Sequence, residues 1–448
     1  MSERRYWNEE LETMPPAKLR MLEEKRLTAQ LEYVFGKSDF YRDKMQGAGL
    51  KPHDIKTVED LEKMPFTTKD ELRGTQEKCP PYGGHLCAPI ENVVRVHGTS
   101  GTTGRFLLTC YTAKDADLIA ECGARSLWTG GMRPSDTVFH VFNYSVYVGG
   151  LTDHLSAERL GATVVPIGVG QTNAFINLAK AIHPTVVTCT PSYPVYVAKK
   201  LRDDYQMDPR ELGFKKGLFG GEPGAGIPET RRLLEDMWGF SARDANYGLG
   251  EVIAIFGAEC EQQMGMHFCG QGELIVELID PDTGRVKKVE SGAEGELVYT
   301  TINREATPLI RYRSRDYARI ISTEPCACGR TGLRFKVIGR SDDMLWVRGV
   351  NVFPRAIEEL IMGIRPQTTG EFQIILEKEG AVDILPIRIE YGESITAEQV
   401  SGLKSYIEDK FSDDLRVTTK VELLPPGTLP KYEKKAKRIF KTHLGETF

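Results

Sequence analysis

"TVFHVF" (Thr137–Phe142), "GATVVPIG" (Gly161–Gly168), "PTVVTCT" (Pro184–Thr190) and "KGLFGG" (Lys216–Gly221) are short apolar runs, separated by segments of helical spacing such as Ala174–Ile182 and Val195–Leu201. Strand-length runs that alternate with helices predict a mainly parallel sheet, because a parallel crossover needs a covering helix. The fold class is therefore α/β. Upstream, Leu19, Leu22, Arg26, Leu27, Gln30, Leu31 and Val34 recur at helical spacing and predict an amphipathic opening helix. Downstream, "GELIVELID" (Gly272–Asp280) and "GELVYTT" (Gly295–Thr301) alternate apolar with polar, so half-exposed antiparallel strands are expected and the sheet chemistry should change near Gly270. "IGRSDDMLWVRGVNVFPRAIEELI" (Ile338–Ile361) then reads as a strand, a Gly turn and a helix started by Pro354, with ferredoxin-like alternation after it. A boundary near Arg340 divides the chain into a large domain, 1–339, and a small α+β domain, 340–448.

A chain of 448 residues exceeds one compact core and suggests two or more domains. Its 40% hydrophobic and 27% charged residues are those of an ordinary globular protein, and a formal charge of -5 argues against a nucleic-acid partner. The first twenty residues lack the apolar core of a signal peptide, and no stretch approaches the roughly 20 apolar residues that span a bilayer. No membrane association and a cytoplasmic location are expected. Nine cysteines without a secretory signal suggest reduced thiols or a metal site rather than a disulfide framework.

Two constellations carry chemistry. "HGTSGTTG" (His97–Gly104) packs three glycines with Thr99, Ser100, Thr102 and Thr103. Backbone N–H groups of a Gly-rich turn converge on phosphate oxygens and the hydroxyls add donors; an ordinary surface loop is the competing interpretation. Arg105 and Phe106 follow Gly104 where a Walker A loop needs Lys and Ser or Thr, which disfavours a P-loop NTPase. The second set is Cys260, His267, Cys326 and Cys328. Three thiolates and one imidazole make a closed tetrahedral structural zinc set, against the alternative of free buried cysteines, with Cys269 a substitute ligand.

The phosphate-type loop is one of a series of motifs: "DFYRDKMQGAGLKPHDIKTVEDLEKMPFTTKDELR", "HGTSGTTG", "YVGGLTDHLSAERLGATVVPIGVGQT", "FGGEPG", "YGLGE", "PLIRYRSRD", "CACGRTGLRFKVIGRSDDMLWVRGVNVFPRAIEE" and "PPGTLPKYEKKAKR". In this order, over nearly the whole chain, they resemble the phenylacetate-CoA ligase branch of the adenylate-forming acyl-CoA synthetases. The resemblance implies that ATP converts an aryl or arylacetic acid to an acyl-adenylate with loss of pyrophosphate, and that CoA then displaces AMP. The alternatives are loading onto a carrier-protein phosphopantetheine, adenylyl transfer to another cofactor, and a non-catalytic nucleotide-binding scaffold. A homodimer is also implied.

By that resemblance Thr99, Ser100, Gly101, Thr102, Thr103 and Gly104 would hold the β- and γ-phosphates, and Glu251 would bind Mg2+. Gly221, Glu222 and Pro223 would wall the adenine beside Asn246, and Tyr247 would stack on it. Asp316 would accept the ribose hydroxyls, unless it pairs with Arg311 or Arg313, and Arg340 would sit beside the nucleotide. Lys435 would meet the carboxylate and α-phosphate during adenylation. Asp342 would be the hinge on which the small domain swings, and Val347–Val352 would line the CoA path. Tyr144, Tyr147, Gly149 and Gly150, with Gly248 and Gly250, would form the acid pocket, although Tyr144 and Tyr147 also have the spacing of core residues. The family context favours structural Zn2+ at Cys260, His267, Cys326 and Cys328.

Four positions depart from the pattern. Gly250 stands for a Ser or Thr, which removes a donor and should leave room for a substituent beside the substrate carboxylate, or for a second carboxylate. Arg315 replaces a glycine, Arg105 a lysine, and Lys434 the glycine before the adenylation lysine.

Overall fold

The apolar runs become the parallel strands Thr137–His140, Thr163–Pro166, Val186–Cys189 and Lys216–Gly220, with Ser241–Leu249 added in parallel beside the last. The expected helices lie between them, as Thr172–Ile182 and Ser192–Tyr205. The computed structural model describes residues 4–99, 106–348, 350–378, 380, 382–430 and 437–446. Among these, the five parallel strands belong to a twelve-stranded sheet whose other half is antiparallel.

The change of direction comes at Ser241–Leu249, which pairs antiparallel with Ile253–Glu259, well before Gly270. Val252 closes the tight connection by donating its N–H to the Leu249 carbonyl at 3.0 Å. The sequence hid this hairpin because every residue of Ile253–Glu259 is buried, so no alternation marks it. A second difference has a related cause. Leu274–Ile279 and Glu294–Thr301 are almost wholly buried rather than half-exposed. Ile275 packs with Leu27, Leu31 and Val34 of the opening helix Pro16–Lys37. Their polar residues are buried as ion pairs, Glu277 with Arg311 at 2.8 Å and Glu296 with Arg313 at 2.7 Å. Alternation of polarity here records pairing partners rather than solvent.

Contacts divide the chain into two units. The first comprises Met1–Cys189, Leu212–Gly221 and Phe240–Lys336; the second comprises Val337–Phe448 together with Thr190–Glu211 and Glu222–Gly239. The division in the C-terminal part thus falls between Lys336 and Val337, and two upstream segments join the second unit. In that unit, strands Thr419–Leu424, Leu385–Tyr391, Thr368–Leu376 and Ile439–Lys441 form a sheet in this order. Helix Pro354–Gly363 has its proline in the first turn, where no N–H is needed, and helix Ala397–Leu415 starts with a Thr396/Gln399 capping box. Ile357, Ile361, Phe372, Ile387, Ile407 and Phe411 are in its core. Among the described residues no helix is long and apolar enough to cross a membrane.

Candidate active site

The strand at which the sheet changes direction ends in Asn246, Tyr247, Gly248 and Leu249, followed by Gly250 and Glu251. Ligands of open α/β sheets gather at such strand ends, where the connections diverge and leave a crevice. Glu251 is buried. Its Oε1 accepts from the Thr99 hydroxyl at 2.7 Å and lies 2.7 Å from Lys69 Nζ. Burial opposes the charge of the carboxylate, but the Lys69 ammonium and the hydrogen bonds from Lys69 and Thr99 outweigh it and hold the group below the usual carboxylate range. Glu251 is therefore ionised at neutral pH, as a divalent-cation ligand must be.

Thr99 ends strand Val93–Thr99 and pairs across an antiparallel hairpin with Leu107. Ser100, Gly101, Thr102, Thr103 and Gly104 of the phosphate loop lie outside the described residues, as do Arg105, Lys434 and Lys435. Lys69, at the start of helix Lys69–Lys78, had no assigned role in the sequence. It lies within the quoted "FTTKDELR", but nothing local announces that this helix begins beside Glu251.

A Cβ on Gly250 would stand 2.5 Å from Thr99 Cγ2 and 3.3 Å from Val148 Cγ1. The expected room for a substrate substituent is therefore absent, because the Thr99 methyl fills it. Gly250→Ser is expected to push Thr99 away from Glu251, to cost about 1–3 kcal/mol of stability, and to raise the Mg2+ concentration needed for pyrophosphate release. Adding Thr99→Ser, which keeps the hydroxyl and removes the methyl, should restore much of both. A Gly250→Ser enzyme with wild-type Mg2+ dependence would contradict this packing.

The Tyr247 hydroxyl donates to Asp316 Oδ2 at 2.7 Å and lies 3.1 Å from the Tyr299 hydroxyl; burial raises its phenol well above the ordinary value. Phe256 and Phe335 meet its ring edge-to-face, at 5.3 and 5.2 Å between centroids. The ring is thus fixed in orientation with its hydroxyl on the expected ribose carboxylate. Tyr299 was not foreseen, since it reads as one more apolar residue of a strand. Arg311 and Arg313, the competing partners suggested for Asp316, pair with Glu277 and Glu296. Arg315 has φ +67, a left-handed conformation that explains why glycine is the usual residue here.

Gly221, Glu222 and Pro223 lie between strand Lys216–Gly220 and helix Pro228–Trp238, and Glu222 accepts the Ser192 N–H at 2.8 Å. In the acid-pocket segment, Tyr144 is half-buried and Tyr147 exposed, so neither is a core residue. The Tyr144 hydroxyl meets His154 Nδ1 at 2.8 Å, and the Tyr147 ring meets Phe106 at 5.9 Å. Gly150 is required by packing, because a Cβ there would be 2.0 Å from the Asn143 carbonyl oxygen. Gly248 is confined in the same way by the Ala254 carbonyl at 1.9 Å. Asn246 donates to Asp153 Oδ2 at 2.8 Å. In the second unit, Arg340 grips Asp342 with two hydrogen bonds of 2.9 and 2.8 Å.

Cys260, His267, Cys326 and Cys328 converge. All four are buried and their donor atoms lie within 4.8 Å of one another. Cys260 and Cys326 sulfurs are 3.9 Å apart, and Cys328 Sγ is 3.5 Å from His267 Nε2. A tetrahedron with zinc–sulfur bonds of about 2.3 Å has edges of about 3.8 Å, so the donor set fits Zn2+. Hydrogen bonding between the Cys260 and Cys328 sulfurs raises the first thiol and lowers the second, which also receives His267. Arg330 and the Gln262 N–H donate to the sulfurs of Cys328 and Cys260. Cys269 is not in the cluster; its sulfur faces the Thr129 hydroxyl and the His267 carbonyl.

The mixed sheet thus brings Thr99, the ionised Glu251 and the Tyr247–Asp316 pair together near the end of strand Ser241–Leu249, where open α/β sheets bind their ligands. Residues 349–443 match the family model described as the AMP-binding enzyme C-terminal domain. A phenylacetate-coenzyme A ligase of Thermus thermophilus is 36% identical over 442 residues, covering 95% of this chain and 96% of the relative. One of Escherichia coli is 34% identical over 435 residues, with 96% of each covered. The crystal structure of a 2-hydroxyisobutyryl-CoA ligase in the postadenylation state, bound to 2-HIB-AMP, superposes with a TM-score of 0.91 at 31% identity, covering 99% of this chain and 94% of that one. The chain belongs to the phenylacetate-CoA ligase family of adenylate-forming enzymes, and it is an AMP-forming acid–CoA ligase.

Proposed function

We propose that the protein activates an aromatic, aryl or arylacetic, carboxylic acid with ATP and passes the acyl group to CoA. The observation that carries this reading is Glu251, ionised beside Thr99 and Lys69, four residues after a Tyr247 that is hydrogen-bonded to Asp316. In the first half-reaction the acid's carboxylate oxygen attacks the α-phosphorus and pyrophosphate leaves. Thr99–Gly104 would hold the β- and γ-phosphates, and Glu251 would hold Mg2+, whose charge would offset that of the phosphates. Tyr247 stacks on adenine beside Asn246 and the wall Gly221–Pro223. Asp316 accepts the ribose hydroxyls, as an ionised carboxylate offers acceptors to a diol, and Arg340 lies beside the nucleotide. Lys435 stabilises charge on the carboxylate and α-phosphate.

In the second half-reaction the CoA sulfur attacks the acyl carbon and AMP leaves. The small domain, from Arg340 on, swings at Asp342 between the two steps, so that one chain assembles two half-sites in turn. The Arg340–Asp342 pair supports a hinge there, since half-exposed ion pairs are weak enough to exchange. A cavity of about 400 Å3 in the second unit, which Trp346, Lys378 and His443 help to line, supports binding of a phosphorylated thiol on this domain. Tyr144, Tyr147, Gly149, Gly150 and Gly248 bound the acid, while Cys260, His267, Cys326 and Cys328 hold a structural Zn2+.

The test is pyrophosphate release from ATP and Mg2+ across a panel of aromatic acids, with and without CoA, with Lys435→Ala as control. Lysine-dependent release for one acid, raised by CoA and yielding the thioester, is expected. Release without thioester would assign the acyl group to a carrier protein or another acceptor. No release from any acid would overturn the reading.

A further inference from the structure

Strand Val93–Thr99 delivers Thr99 to Glu251, and two residues before Thr99 it carries His97, to which the reaction described above gives no task. His97 is 3% exposed. Its Nδ1 lies 3.1 Å from the Val146 carbonyl oxygen, and the next residue, Gly98, donates its N–H to the same oxygen at 2.9 Å. Val146 stands between Tyr144 and Tyr147, in the turn that leads into helix Val148–Leu160. Adjacent residues of the phosphate strand therefore fill both lone pairs of one carbonyl in the acid-pocket segment.

The imidazole is held in one tautomer and one orientation. A carbonyl can only accept, so Nδ1 carries the proton and Nε2 presents a lone pair, buried with no hydrogen-bond partner among the described residues. A second proton would bury an N–H without an acceptor. Burial accordingly lowers the imidazole below its ordinary range; the bond to Val146 opposes this, while the Arg95 and Arg304 cations add to it. Tyr111, on the paired strand Leu107–Thr112, meets the imidazole edge-to-face with centroids 5.4 Å apart. The Arg304 guanidinium lies over the Tyr111 ring at 4.7 Å and donates to the carbonyls of Glu251 and Val252. The Tyr111 hydroxyl donates to the Gly250 carbonyl at 3.3 Å. His97 is thus packed against the buried pair that fixes the backbone around Glu251.

We infer that His97 is a positioning residue: its Nδ1–H holds Val146, and with it the turn bearing Tyr144 and Tyr147, at the strand that ends in Thr99, and so sets the acid's carboxylate against the phosphates. The inference rests on the reading of this turn as part of the acid pocket. Attack on phosphorus needs both reactants at a fixed separation, and a misplacement of about 1 Å can cost about 10²-fold. The phosphates stay with the strand whichever way the turn moves, so losing the bond weakens use of the acid and spares the nucleotide.

The test is steady-state pyrophosphate release by the full-length protein from ATP and Mg2+, with phenylacetate, benzoate and anthranilate as the acids. Asparagine places an amide N–H close to where imidazole carries Nδ1, glutamine reaches to the Nε2 position instead, and leucine keeps the bulk without a donor. His97→Leu and His97→Gln are expected to raise the acid KM about 3- to 10-fold with the ATP KM within about 2-fold of wild type, and His97→Asn to recover most of the loss. An unchanged acid KM in His97→Leu, an equal rise in both KM values, or a His97→Asn no better than His97→Gln overturns the proposal; if His97→Leu does not fold, the comparison of Asn with Gln decides. Tyr147→Ala, at an exposed ring of the turn, tests the pocket itself. If it raises the acid KM while His97→Leu does not, only the positioning role falls. If it leaves the acid KM unchanged, the acid-pocket reading falls and the proposal with it, whereas no release by the wild type from any of the acids overturns the aromatic-acid reading.

Discussion

Glu251→Gln is expected to slow pyrophosphate release by about 10²–10³-fold, the scale seen when one preorganised electrostatic group is removed from a site where charge develops. The amide can still accept from the Thr99 hydroxyl, so the change removes the negative charge and little of the shape. It also removes the charge that pairs with the Lys69 ammonium at 2.7 Å. Because Lys69 keeps about a third of its side chain in solvent, the stability loss should be modest, about 1–3 kcal/mol. Activity and folding are thereby separable, and the loss should be partly recovered by raising Mg2+. A Glu251→Gln enzyme with wild-type rate at low Mg2+ would remove Glu251 from the metal site.

Lys69→Met tests the same arrangement through pH. Burial alone raises the Glu251 carboxyl, and the Lys69 ammonium is what chiefly brings it down. Without Lys69 the folded-state pKa rises, so the acidic limb of the activity profile should move to higher pH. In the wild type the depressed pKa means that the stabilising charge is present at neutral pH and is lost only as pH falls through that lowered value.

The second large effect concerns Cys260, His267, Cys326 and Cys328. About one Zn2+ per chain is expected by elemental analysis, and its removal by chelator, or Cys328→Ser, should cost at least about 3–5 kcal/mol and lower the melting midpoint. The structure shows why the loss would spread beyond the loop. Cys328 accepts the Tyr6 hydroxyl at its carbonyl and Arg330 at its sulfur, and Arg330 is held by Glu12 at 2.7 Å. The N-terminal segment is anchored on the cluster. A metal-free protein whose melting is insensitive to chelator would return these residues to the status of buried thiols.

Much of this molecule is legible in one sequence. Apolar runs with helices between them specify parallel strands, since no other arrangement covers both faces of such a sheet. The residue types of Cys260, His267, Cys326 and Cys328 make a ligand set, whereas Gly150 and Gly248, read as pocket glycines, turn out to be held by close backbone approaches. Local pattern fails where burial is supplied by distant chain. Ile253–Glu259 gives no sign of its antiparallel direction, and the alternating strands near Gly270 are sealed by the opening helix and by the ion pairs of Glu277 and Glu296.

The site divides in the same way. The residue types for phosphate, metal, adenine and ribose stand in the motifs, because those ligands demand particular donors at short spacings. The pairing of Glu251 with Lys69, the closing of Gly250 by the Thr99 methyl, and the bond from His97 to the Val146 carbonyl depend on atoms far apart in the chain that fold to within a few ångströms. Sequence determined which groups are available for chemistry. Tertiary structure decided which of them are ionised, filled or left wanting a partner, since desolvation and contact distance exist only once the chain has packed.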